Sequence, residues 1–89
     1  MIAVKDAVAS AMAFAKELLG TERASRLQLE EVEESATLGG SEKWLITLSM
    51  PATNAIGFLG NTREYKTFTV DGQTGKVLSM KIRQLADAG

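Results

Sequence analysis

An 89-residue chain with ten basic residues, eleven acidic residues, no histidine and no cysteine has room for one domain, spanning 1–89. Its net charge of −1 argues against broad electrostatic capture of nucleic acid or an anionic membrane. The missing His and Cys exclude Ser-His and Cys-His nucleophile pairs, the usual zinc sites and any disulfide, and no cofactor is implied.

The chain opens Met1-Ile2-Ala3-Val4-Lys5-Asp6, without a basic start followed by an unbroken apolar run. Lys5, Asp6, Lys16 and Glu17 interrupt the apolar residues. The segment therefore reads as neither a signal peptide nor a membrane span, and a cytoplasmic location is expected. At about 100° per residue from Val4, a stripe about 160° wide gathers Val4, Ala7, Val8, Ala11, Met12, Phe14, Ala15, Leu18 and Leu19. Lys5, Asp6, Ser10, Lys16 and Glu17 fall on the other side. This is an amphipathic helix with one core-facing side. Its polar side carries both charge signs, unlike a membrane-surface helix. Gly20 is placed for a left-handed cap, and Thr21 for the start of a short extra turn.

From Arg26 the pattern alternates, then slips by one residue between Leu29 and Val32, which predicts a β-bulge near Glu30-Glu31. Leu38-Gly39-Gly40-Ser41 reads as a flexible connection. Lys43 to Met50 predicts a strand with Trp44, Ile46, Leu48 and Met50 on one face, ended by Pro51. Residues 51–62 read as a long, unusually apolar loop. Arg63 to Asp71 predicts a third strand with Phe68 and Val70 inward. Asp71-Gly72-Gln73-Thr74-Gly75 is a compact hairpin turn with Gly75 at a positive-φ bulge position. Lys76 to Arg83 predicts a fourth strand with Leu78, Met80 and Ile82 inward and Val77 outward.

One helix stripe and one apolar face per strand make two layers around one core. Short connections favour a meander in the order 1-2-3-4. The expected fold is α+β, an N-terminal helix packed on one face of a four-stranded antiparallel sheet. The expected core holds Val8, Ala11, Ala15, Leu18, Ile46, Leu48, Phe68, Val70, Met80 and Ile82.

Chemistry-bearing patterns are few. Glu30, Glu31, Glu33 and Glu34 are adjacent, but acid–base catalysis would need one of them raised in pKa within an apolar pocket. They lack the interspersed Asp/Asn and Gly of a calcium loop. Gly57-Phe58-Leu59-Gly60 is a G-x-x-G without the Lys-Ser/Thr of a nucleotide-binding loop, and it precedes a strand rather than joining helices. Solvated strand-edge charge and an ordinary loop account for both, so no enzyme is expected.

The stretch Tyr65-Lys66-Thr67-Phe68-Thr69-Val70-Asp71-Gly72-Gln73-Thr74-Gly75-Lys76-Val77-Leu78 resembles the closing hairpin of PepSY-type domains, in which a strand ending in Asp turns through Thr-Gly into a second strand. The helix and the Trp44 strand are compatible with the rest of such a unit, which resembles cystatin-like folds more loosely. The chain also looks like small bacterial proteins, which adds no function. The PepSY resemblance implies a helix-on-sheet fold and an association with peptidase regulation in secreted or membrane proteins. No export signal or membrane span is expected here, which departs from that setting, and the family offers no catalytic motif to carry over.

A helix on one face leaves the other uncovered, with Leu45, Thr47, Ser49, Tyr65, Thr67, Thr69, Val77, Ser79, Lys81 and Arg83 expected there. Leu45, Tyr65 and Val77 are the expected centre of a contact patch, and Ile56, Phe58 and Leu59 of the apolar loop form a second candidate surface. Residues 22–42 hold six acids and two bases, and residues 63–83 hold five bases and two acids. This asymmetry either protects the sheet edges or steers a partner into register. The expected function is a non-catalytic protein-binding or regulatory module that meets a protein partner or forms a homodimer. The alternative is a small-ligand- or lipid-binding domain using space between helix and sheet near Phe58 and Trp44.

Overall fold

The computed structural model of the chain describes residues 1–36, 42–51 and 63–83. Helix α1 spans Val4–Leu19, with Asp6 in its first turn and Lys16 in its last, each matching the sign its helix end favours. Gly20 follows with φ 86° and ψ 164°. The positive φ was expected of a left-handed cap, but ψ is extended, a combination essentially reserved for glycine. The reason is that Gly20 serves two helices. Its N–H donates to the Lys16 carbonyl at 2.9 Å, and its own carbonyl accepts the Ala24 N–H at 3.0 Å. That second bond opens α2, Thr21–Ala24, the short turn that Thr21 predicted.

Strands β1 (Gln28–Ala36), β2 (Glu42–Pro51), β3 (Arg63–Asp71) and β4 (Val77–Ile82) form one antiparallel sheet in the order β1-β2-β3-β4. The fold is thus α+β, with one N-terminal helix layer on a meander sheet. Val32 pairs with Ile46 and Leu29 with Leu48, and the register shifts between Leu29 and Glu31, where the sequence pattern slipped.

Three alanines one helical turn apart, Ala7, Ala11 and Ala15, are buried against Ile46, Leu48, Met50, Phe68 and Val70. Helix α1 lies over β2, β3 and β4. The Phe14 ring meets the Phe68 ring edge to face, with centroids 6.1 Å apart and planes at 76°. At the other end of α1, Ile2 N–H donates to Gly72 O at 2.6 Å, and Gly72 N–H donates to Glu42 O at 3.0 Å. The Trp44 indole N–H reaches Ile2 O at 3.2 Å. A Cβ at Gly72 would sit 2.5 Å from Glu42 O, so this junction of N-terminus, β2 and hairpin requires glycine.

The hairpin follows its sequence. Asp71 Oδ1 accepts the N–H groups of Gln73 at 2.7 Å and Thr74 at 3.0 Å. Gly75 takes φ 78°, the positive-φ position expected of it. Beyond it the alternation breaks. The register shifts between Thr69 and Val70, so Val77 pairs with Val70 and packs on the core, while Leu78 is 46% exposed. The expected orientations of Val77 and Leu78 are reversed because a bulge at the start of β4 inserts one residue.

Two expected core residues also lie outside it. Leu18 is 56% exposed at the far end of α1, where Met50, Lys66 and Met80 border a cavity rather than close over it. Ile82 is 72% exposed, paired with Lys66 at the sheet's outer corner. Val8 and Met80 are half-buried against the core.

Phe68→Ala should therefore cost about 3–5 kcal/mol in denaturant unfolding. Ile82→Ala should stay within about 0.5 kcal/mol of wild type, as an exposed site does. The opposite ranking would refute this assignment of the two side chains.

Candidate functional site

The antiparallel register sorts the open face into rows across the sheet. One row runs Glu33, Leu45, Thr69, Ser79; the next runs Glu31, Thr47, Thr67, Lys81. A third joins Gln28, Ser49 and Tyr65, with Arg83 beside Tyr65 through its N–H to Tyr65 O at 2.8 Å. This face was expected to be solvated. In its middle, however, Thr47 and Ser49 are buried.

Charged side chains from the margins roof them. Ser49 Oγ donates to Glu30 Oε2 at 2.6 Å and accepts from Arg63 Nε at 2.9 Å. Arg63 Nη2 also donates to the carbonyls of Ser49 at 3.0 Å and Arg26 at 2.7 Å, tying the start of β3 to the segment before β1. Arg83 reaches over the sheet to form an ion pair with Glu31, and its Nη1 lies 3.4 Å from Thr47 Oγ1. Thr47 and Thr67 hydroxyls pair at 3.1 Å. Among the described residues, every buried side-chain polar atom has a partner. The Ser49 hydroxyl is thus buried and committed in both directions.

Of the four adjacent glutamates, only Glu34 leaves the group. The bulge turns Glu30 and Glu31 to the open face toward Ser49 and Arg83, Glu33 shares that face, and Glu34 pairs with Trp44 in the row facing the helix. The hydrogen bond from Arg83 holds the Glu31 carboxyl below its usual range. The backbone N–H groups of Thr74 and Gln73 do the same for Asp71.

On the helix side, α1 leaves the flanks open. Leu29 and Val32 of β1 are 46% and 38% exposed, and Ile82 lies exposed on the far edge. Between α1 and the start of β4 runs an open groove of about 840 Å³ whose lining includes Ala13, Phe14 and Val77. The space between helix and sheet near Leu18, Leu19 and Met80 is about 120 Å³. That is below the roughly 300 Å³ at which ligand pockets begin. Trp44 stands away from it, at the N-terminal end of α1.

The predicted contact patch does not assemble. Leu45 and Tyr65 share the open face but lie two rows apart, roughly 14 Å along the strands. Val77 is on the helix side, carried there by the β4 bulge. Ile56, Phe58 and Leu59 lie outside the described residues. Sequence reasoning missed the Leu29–Val32 flank and the Glu30–Ser49–Arg63 bridge. Helix width was the available signal for the flank, because a helix about 10 Å across cannot cover four strands spaced about 4.8 Å apart.

Both depressed carboxyls make stability fall in acid. A group whose folded pKa lies below its unfolded value stabilises the fold above the unfolded value, near 3.9 for Asp and 4.3 for Glu. That contribution disappears as pH falls through the lower folded value. Denaturant midpoints should therefore be flat from about pH 7 to 5 and drop below about pH 4. Asp71→Ala should lower the neutral-pH midpoint and flatten the acid drop; an unchanged acid limb would contradict the Asp71 turn bonds.

No protein-family model, curated protein or solved structure matches the chain.

Proposed function

We propose that this chain is a non-catalytic protein-binding module that associates with itself. The observation that supports the reading is apolar side chains exposed on both edge strands of an ordered sheet, Leu29 and Val32 on β1 and Leu78 and Ile82 on β4. Contiguous exposed apolar patches mark contact sites, and burying such area is favourable by about 25 cal/mol per Å². The Ser49 hydroxyl, committed to Glu30 and Arg63, and the Arg83 pairing of Glu31 support a non-catalytic role. The PepSY-like hairpin points the same way, toward regulation rather than chemistry. No helix among the described residues is long and apolar enough to cross a membrane.

A second reading, a small apolar ligand or lipid, is favoured by the groove between α1 and β4, whose volume of about 840 Å³ suits such a ligand. Sedimentation velocity over a dilution series separates the two. Self-association predicts a mass-average that rises with concentration. A chain that remains monomeric up to about 1 mM, where binding is worth only about 4 kcal/mol, would refute self-association. Saturable uptake of an apolar fluorophore by that monomer would then favour the ligand reading.

A further inference from the structure

The two edges of the sheet differ in kind, and they differ in complementary ways. Strand β1 carries Glu30, Glu31, Glu33 and Glu34 and no base, whereas residues 76–83 carry Lys76, Lys81 and Arg83 and no acid. Part of this charge is used inside the chain, since Glu31 pairs with Arg83 and Glu30 is held by Ser49. Glu34 on β1, and Lys76 and Lys81 at β4, form no ion pair among the described residues, and Glu33 only adds to the field around Arg83 without a direct contact. On the helix side both edges are apolar and exposed. Neither outer edge has a strand partner among the described residues.

We infer that the partner is a second copy of this chain, whose β4 edge adds to the β1 edge of the first and continues the sheet. This rests on the self-association reading above. Strand direction permits it. Neighbouring strands alternate in direction, so β1 and β4 run oppositely, and a copy set beside the first in the same orientation meets it antiparallel. Both helices then lie on one side. The seam sets Val32 and Ile82 together beneath the helix layer, and Glu33 and Lys81 together on the open face. The symmetric alternatives, β1 on β1 or β4 on β4, place like charges opposite each other and are disfavoured. The bulges at Glu30 and at Val77–Leu78 leave Val32–Ser35 and Ser79–Ile82 as the regular runs that pair. Such a contact is heterologous and propagates beyond two copies unless its rotation closes a ring.

Two variants test this, each at an exposed site. Val32→Lys sets a base into the acidic edge, and Ile82→Glu sets an acid into the basic one. Each alone should raise the dissociation constant at least about tenfold, because its altered edge opposes every copy's other edge. The equimolar mixture should recover association, since the untouched β4 of one variant fits the untouched β1 of the other. Circular dichroism confirms folding, and Glu33→Lys replaces Val32→Lys if that variant unfolds. If either variant alone associates like wild type, or the mixture does not recover, edge pairing is overturned while self-association stands. If wild type itself does not associate, both readings fall.

Discussion

The close seating of α1 on the sheet, through the Ala7–Ala11–Ala15 line, sets the rest of the molecule. Three small side chains at four-residue spacing let the helix backbone approach Ile46, Leu48, Phe68 and Val70 without larger residues between them. Phe14 meets Phe68 edge to face. Close approach brings a narrow footprint. One helix covers the middle of a four-stranded sheet, and the helix-side residues of β1 and the outer corner of β4 lie beyond it. The exposed Leu29, Val32 and Ile82 are consequences of that geometry.

The open face solves a different problem. A bare sheet face with Thr47 and Ser49 at its centre is closed by long side chains reaching in from the margins, Arg63 and Arg83 against Glu30 and Glu31. These pairs are partly exposed and each contributes little to stability. Their larger effect is positional, because Arg63 links β3, β2 and the segment before β1, while Arg83 spans the sheet. Covering one face with charge leaves the sheet's apolar contacts on the helix side and at the two edges.

Much of the architecture was legible because it is local. The helix stripe, the slip between Leu29 and Val32, and the Asp71–Gly75 turn each follow from residues within a few positions of one another. The errors came where locality ended. A single inserted residue after Gly75 exchanged Val77 for Leu78, and strict alternation cannot register it. Leu18 belongs to the apolar stripe by angle, but burial depends on what stands opposite, and the packed sheet centre lies nearer Ala11 and Ala15. The Arg83–Glu31 pair joins residues 52 positions apart, so no local pattern announces it. The expected patch of Leu45, Tyr65 and Val77 failed for the same reason: one bulge moved its third member to the other face.

If the edges pair between copies, the central strands β2 and β3 are the stable part of the sheet and the edges its contact-forming part. Amide hydrogen exchange measured at low and high protein concentration addresses that division directly. The account predicts that β2 and β3 amides are equally protected at both concentrations, while outward-facing amides of Val32–Ser35 and Ser79–Ile82 exchange in dilute solution and become protected in concentrated solution. Edge amides whose exchange is independent of concentration, in a sample shown to associate, would contradict it.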